Sequence, residues 1–252
     1  MQKYTYDPLH LFIDGAWREA GSRDTSAVIN PATGATLGRL PLATPADLDA
    51  ALKAADHAFE TWRQTVPAER ARILKGAAEL MRKRSVQIAT LMTLEEGKPL
   101  SESCDEVLRA ADYFEWFAEE ARRIDGRVVA SNRPGVQQLV KRQPIGPVAA
   151  FTPWNFPAIT PARKLSAALA AGCSVILKPG EESPATALAL ARCLDDAGLP
   201  KGVLQIVFGV PDMVSAHLIA SPVIRKVAFT GSIPVGRLLS ERAAAGVKPI
   251  TL

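Results

Sequence analysis

An α/β fold built on a doubly wound parallel sheet is what this 252-residue sequence predicts. Three observations point to it. From Pro147 onward, short apolar runs alternate about four times with helical stretches, the pattern of a sheet with crossover helices. The joints between them are brief, and several open on Pro and close on Gly, which suits compact right-handed crossovers. The apolar fraction is 48%, enough to bury a real core over this length.

Each element has its own signal. "LFIDGAWREA" reads as a hairpin turning at Asp14-Gly15. "TPADLDAALKAADHAFETWRQ" opens with Thr44 as N-cap and Pro45 as first helical residue. Leu48, Ala51, Leu52, Ala55, Phe59 and Trp62 then recur at helical spacing. "PAERARILKGAAELMRKRSVQIATLMTLEEG" and "LSESCDEVLRAADYFEWFAEEARRI" give further helices, whose Met and aromatic stripes read as core. "DGRVVASNRPGVQQLVKRQPIG" alternates and carries turn residues, so it reads as paired strands. "PVAAF" is a strand, and Thr160-Pro161 opens a helix that closes at Gly172. "SVILK" is the next strand, and Ser183-Pro184 opens a helix closed by Gly198 to Pro200. "VLQIVF" follows, then a short helix from Pro211, the strand "IRKVAF", a helix with Pro234 in its first turn, and the extended "PITL".

Composition excludes several functions. Thirty basic against 26 acidic residues leave a net charge of +4, scattered along the chain. The densest basic run, "MRKRS", continues a helical pattern and reads as a solvated face; nucleic-acid binding calls for a clustered stripe. No charge-free apolar stretch is long enough for a bilayer span, and the N-terminus has no signal-peptide core, so a cytoplasmic protein is expected. Cys104, Cys173 and Cys193 form no CxxC, and His10, His57 and His217 are isolated, so neither a disulfide framework nor a metal site is expected.

Ligands of such sheets bind beyond the carboxyl ends of the strands. After the first core strand come Thr152, Trp154 and Asn155; after the second, Lys178, Pro179, Gly180 and Glu181; after the fourth, Thr230, Gly231 and Ser232. An amide, a cation, a carboxylate and a glycine leading into a helix suit a dinucleotide, whose pyrophosphate takes free N–H groups at a helix start. Gly231 and Gly236 have the spacing of half a P-loop, but Arg237-Leu238 follows where Lys-Ser/Thr belongs. On spacing alone a structural glycine pair fits as well as a phosphate site. Arg163 and Lys164 fall in the first turn of their expected helix, where positive charge opposes the dipole at about 0.3–1 kcal/mol. Both could point into solvent, or serve a crevice.

"EEGKPLSES", "KRQPIGPVAAF", "PWNFP", "LAAGCSVILKPGEESP", "GLPKGVLQIVFG" and "VAFTGSIPVG" come in an order and spacing that resembles the N-terminal, cofactor-binding portion of the aldehyde dehydrogenase superfamily. The resemblance runs from "LFIDGAW" to the last residue. It implies a Rossmann-like cofactor domain using NAD, with NADP as the alternative. By it, Asn155 is the oxyanion donor, and Thr152, Pro153, Trp154, Asn155, Lys178, Pro179, Glu181, Gly209, Gly231, Ser232 and Val235 are cofactor contacts. Lys178 and Glu181 match the adenosine-ribose contacts and Ser232 the pyrophosphate contact. The family's usual Thr-Glu after that Ser is here Ile233-Pro234.

The resemblance further implies an Arg at 163 that pairs with a substrate's distal carboxylate and a Lys at 164 that relays protons, as in semialdehyde-acid dehydrogenases, notably those for succinate semialdehyde. The expected division is 1–125 for the N-terminal part of the cofactor domain, 126–146 for a β oligomerisation arm, and 147–252 for the α/β core. Partners are a small aldehyde and further copies of the chain, as a homodimer or homotetramer. The family's general base follows a segment like "KPITL" and its thiol nucleophile comes later still. The chain is thus expected to be the cofactor half, inactive alone. The rival expectation is a non-catalytic nucleotide-binding or assembly module.

Overall fold

The computed structural model describes residues 6–252. A hairpin opens it, β1 (Leu11–Ile13) and β2 (Ala16–Arg18), with Asp14 and Gly15 both at positive φ, as its tight turn requires. A second ribbon, β3 (Thr25–Ile29) with β4 (Thr36–Pro41), follows. Sequence reading missed it, although Asn30 and Gly34 close its turn through Gly34 N–H to the Asn30 carbonyl at 2.8 Å.

Four helices come next: α1 (Pro45–Trp62), α2 (Pro67–Lys83), α3 (Ser85–Glu96) and α4 (Leu100–Ala121). Thr44 caps α1 as expected, in a capping box with Asp47. The chain breaks between α2 and α3 at Arg84, which no Pro or Gly announces. The basic run there is ion-paired: Arg82 holds Asp112 at 2.8 Å and Glu115 at 2.5 Å, and Arg84 holds Asp196 at 2.6 Å. The expected ribbon is β5 (Arg127–Val129) paired with β6 (Gln138–Val140).

The remainder alternates: β7 (Val148–Phe151), α5 (Ile159–Ala170), β8 (Val175–Lys178), α6 (Pro184–Asp196), β9 (Leu204–Ile206), α7 (Pro211–Ala220), β10 (Lys226–Phe229), α8 (Ile233–Ala245) and β11 (Ile250–Thr251). All five strands are parallel, in the order β11-β10-β7-β8-β9, and the β1–β2 hairpin extends the sheet antiparallel beyond β9. From β7 the chain winds outward through β8 and β9, then returns to the other side of β7 for β10 and β11. The switch point lies between β7 and β10, where such sheets bind ligands. Helices α5 and α6 are backed by α2, α3 and α4, while α7 packs against α1 and α8. Strands β7, β8 and β9 are fully buried, which is why they read as unbroken apolar runs.

One boundary differs in a way that matters. Helix α5 starts at Ile159, not after Thr160. Its first N–H groups, from Ala158 and Ile159, go to the Glu106 carboxylate of α4 at 2.9 and 3.2 Å. Arg163 and Lys164 therefore stand in the second turn, where the dipole argument against positive charge has faded.

Candidate functional site

Register brings the expected strand ends level. Phe151 of β7 pairs with Lys178 of β8 on one side and Phe229 of β10 on the other. Thr152 N–H bonds the Lys178 carbonyl and Thr230 N–H the Phe151 carbonyl, so the three loops leave the sheet together.

The β7 loop carries Pro153, Trp154 and Asn155. Thr152 is buried and its Oγ1 has no partner among the described residues. Trp154 is 51% exposed, and Asn155 is exposed beside it. The Trp154 carbonyl accepts the Ser183 hydroxyl at 2.9 Å, which diverts Ser183 from capping α6. Glu95 of α3 takes over that cap through Ala185 N–H at 2.8 Å. Gly180 passes so close that a Cβ there would stand 2.9 Å from the Trp154 nitrogen and 3.0 Å from its Cα. Main chain cannot yield as a flexible side chain can. Gly180→Ala is expected to cost about 1–3 kcal/mol in urea denaturation and to shift the Trp154 emission. An unchanged midpoint and spectrum would remove Gly180 from the packing of this turn.

The β8 loop carries Lys178, Pro179 and Glu181. Lys178 is buried at 7% exposure, and its Nζ lies 2.5 Å from Glu181 Oε2. The other Glu181 oxygen accepts Gly209 N–H at 3.2 Å, which ties in the loop after β9.

The β10 loop runs Thr230, Gly231, Ser232 into α8. Ser232 takes the N-cap position in extended conformation, and its side chain makes no capping bond. Val235 lies in the first turn of α8, 43% exposed. Thr230, Gly231, Ser232, Ile233, Gly236 and Arg237 help line a crevice of about 570 Å³. A Cβ on Gly231 would meet the Phe229 ring at 2.4 Å, so the turn into α8 has no room for a side chain.

Helix α5 serves two sides. Lys164 Nζ donates to Thr230 Oγ1 at 2.7 Å, joining α5 to the β10 loop. Burial, with Arg163 alongside, lowers its pKa to about 8. Arg163 turns instead to a second crevice of about 450 Å³, with Tyr113, Trp116, Phe117 and Ile159. Its Nη2 is 2.5 Å from the Tyr113 hydroxyl and its guanidinium lies 4.8 Å from that ring's centre. Tyr113, Trp116 and Phe117 escaped the sequence reading as site residues because their spacing on α4 is that of core.

None of the three thiols is at the strand ends. Cys104 is half-buried on α4, Cys173 precedes β8 at the opposite end of the strand, and Cys193 is buried in α6. Burial raises Cys173 and pushes Cys193 up to about 11, so neither is a thiolate at neutral pH. Among the described residues no group of His, Cys, Asp and Glu could hold a metal, and no helix is long and apolar enough to cross a membrane.

An open parallel sheet whose switch point carries a glycine turn, an uncapped helix start and polar strand ends is the architecture of nucleotide-binding α/β domains. The chain belongs to the aldehyde dehydrogenase family, whose sequence profile it matches over residues 17–252. It is 50% identical to the 4-(hydroxymethyl)benzenesulfonate dehydrogenase TsaD1 of Comamonas testosteroni, over 100% of this chain and 53% of that one. It is 43% identical to the NADP-dependent succinate-semialdehyde dehydrogenase GabD of Escherichia coli K12, over 95% of this chain and 50% of that one. Among solved structures, the succinate-semialdehyde dehydrogenase from Burkholderia pseudomallei superposes with a TM-score of 0.96 at 42% identity, over 100% of this chain and 52% of that one. The chain spans about half the length of the curated relatives it matches.

Proposed function

We propose that these residues are the cofactor-binding half of a dehydrogenase that oxidises an aldehyde bearing a second, anionic group to the corresponding acid. The observation that carries this is the level alignment of three strand ends at the switch point, with Asn155, the Lys178–Glu181 pair and the Gly231–Ser232 turn around it. The three-part division at 126 and 146, with the β5–β6 ribbon as an assembly arm of a homodimer or homotetramer, belongs to the same reading.

The residues fit NAD or NADP. A glycine turn without room for a Cβ leads into an uncapped helix start, which suits a pyrophosphate. Ser232, Gly231 and Val235 would hold it there. Thr152 Oγ1 is a buried hydroxyl in want of a partner. Thr152, Pro153, Trp154, Pro179 and Gly209 would wall the site, and Lys178 with Glu181 would meet the adenosine ribose. The bound nucleotide supplies a hydride acceptor. The chain's own part is to orient and to stabilise. When a thiolate adds to the aldehyde carbon, the carbonyl oxygen becomes an alkoxide, and the Asn155 side-chain N–H would donate to it. Lys164, its pKa lowered to about 8, would hold or pass a proton beside Thr230. Cys104 sits on α4, Cys173 lies at the opposite end of β8 and Cys193 is buried in α6; in this reading none of them is the nucleophile, which another part of the full-length protein supplies. These residues alone should yield no NADH.

Arg163 supports the anionic group, since a guanidinium fork matches a carboxylate. Succinate semialdehyde and its near homologues are the first candidates. The aromatic walls of the same crevice, Tyr113, Trp116 and Phe117, favour a second reading, a benzaldehyde bearing an anionic group. The ratio of kcat/KM for the two aldehydes in the full-length protein decides between them.

Cofactor choice tests the nucleotide site itself. Glu181 pairs with Lys178 at 2.5 Å, so the carboxylate occupies the cation that would bind a 2′-phosphate and leaves no net positive charge there to attract one. NAD is therefore the expected cofactor. Glu181→Ser frees the ammonium, and should move the NADP/NAD ratio of kcat/KM about tenfold or more toward NADP. Titration of Trp154 emission with each nucleotide reads the same shift as Kd. An unchanged ratio in the variant would end this assignment of Glu181.

A further inference from the structure

The Asn155 turn is packed against Gly180 and Ser183 on its Trp154 side only, yet its amide must be held still to work as proposed. Trp154, Asn155 and Phe156 all face solvent. What restrains the far side of the turn is a charged group from a distant part of the chain. Lys98, in the loop between α3 and α4, donates from Nζ to the Asn155 main-chain carbonyl at 3.0 Å. The same ammonium lies 4.5 Å from the centre of the Phe156 ring. It also donates to Glu106 Oε2 at 2.5 Å and lies 2.9 Å from the Glu96 carboxylate.

Glu106 completes the clamp. It is 3% exposed, and its second oxygen accepts the N–H groups of Ala158 and Ile159. One buried carboxylate thus fixes the start of α5, and through Lys98 it fixes Asn155, four positions before Ile159. Capping α5 explains only one of its oxygens. A helix whose N-cap is Ala158 needs an outside acceptor, but an uncharged one would serve. Burying two carboxylates around one ammonium is costly, so the arrangement calls for more than a cap. Glu96 shows that cost: burial, offset by Lys98, raises its pKa to about 7.

We propose that Glu106 and Lys98 are positioning residues for Asn155, setting the direction of its amide through the main chain on both sides of the turn. This rests on the reading of Asn155 as the oxyanion donor. An amide that relaxes by even a fraction of an ångström loses much of its hold on an alkoxide, because the stabilisation depends on a preset donor.

The test is a double-mutant cycle in the full-length protein with its aldehyde and nucleotide. Glu106→Gln keeps the shape but weakens both arms of the clamp. It should lower kcat about ten- to a hundredfold, with nucleotide Kd little changed. In an Asn155→Ala background the same substitution should lower kcat no further, since the donor it positions is gone. Equal losses in both backgrounds would overturn the proposal and leave Glu106 a structural cap. A fully active Asn155→Ala enzyme would overturn the oxyanion reading instead, and the positioning role with it. Should Glu106→Gln fail to fold, Lys98→Met runs the same cycle. It leaves the Glu106 cap on α5 in place and removes the arm to Asn155, together with the ion pairs to Glu96 and Glu106.

Discussion

Asn155→Ala in the full-length protein is expected to lower kcat by about 10²–10³-fold, the usual cost of losing one oxyanion donor. KM for the aldehyde and Kd for the nucleotide should change little, because the bond strengthens only as the carbonyl oxygen takes on charge. The geometry motivates this. Asn155 is exposed at the mouth of β7, between Pro153 and Pro157, which restrict the turn from both sides. Its carbonyl is tied to Lys98, and its side chain stands exposed beside that anchor. Asn155→Asp should be at least as damaging, since a carboxylate only accepts hydrogen bonds and would face the alkoxide with like charge. Steady-state rates with a saturating aldehyde are the measurement. A wild-type kcat in the alanine variant would take Asn155 out of the chemistry.

What the sequence made legible and what it hid divide along one physical line. Strands β7, β8 and β9 were readable because burial on both faces leaves apolar runs, and their helices because Pro and Gly punctuate them locally. The strand-end residues followed from topology, so Thr152, Asn155, Lys178, Glu181, Gly231 and Ser232 could be named in advance. The start of α5 was misplaced because its acceptor, Glu106, is 52 residues away, and Thr160-Pro161 offered a plausible local start. The Thr160 hydroxyl in fact bonds back to the Phe156 carbonyl at 2.7 Å, inside the helix. Lys98 was hidden for the same reason: within its own segment it is one more basic residue in a loop. The β3–β4 ribbon was a different kind of miss. "SAVINPATG" holds an alternating run and an Asn–Pro–Gly turn, and the signal was there to be weighed.

Arg163→Leu is expected to lower kcat/KM for an anionic aldehyde by about 10- to 150-fold, the range of about 1.5–3 kcal/mol that a hydrogen bond to a charged group contributes. For an uncharged aldehyde of similar length the loss should be small. That contrast is the point of the experiment, since general damage to α5 would lower both. The case for Arg163 rests on preorganisation. Its guanidinium is already stacked on Tyr113 and bonded to that hydroxyl, so an incoming anion need not order a free side chain. Only one arm of the fork is used by Tyr113, and the crevice it faces also holds a second cation, Arg109, and Asp112, which is paired with Arg82. Arg163→Lys keeps the charge but not the planar fork, and should fall between the parent and the leucine variant. Tyr113→Phe separates support from contact: it removes the bond that steadies Arg163 while leaving the ring beneath it. If Arg163→Leu lowered kcat/KM equally for charged and neutral aldehydes, recognition of an anionic group would have to be sought elsewhere.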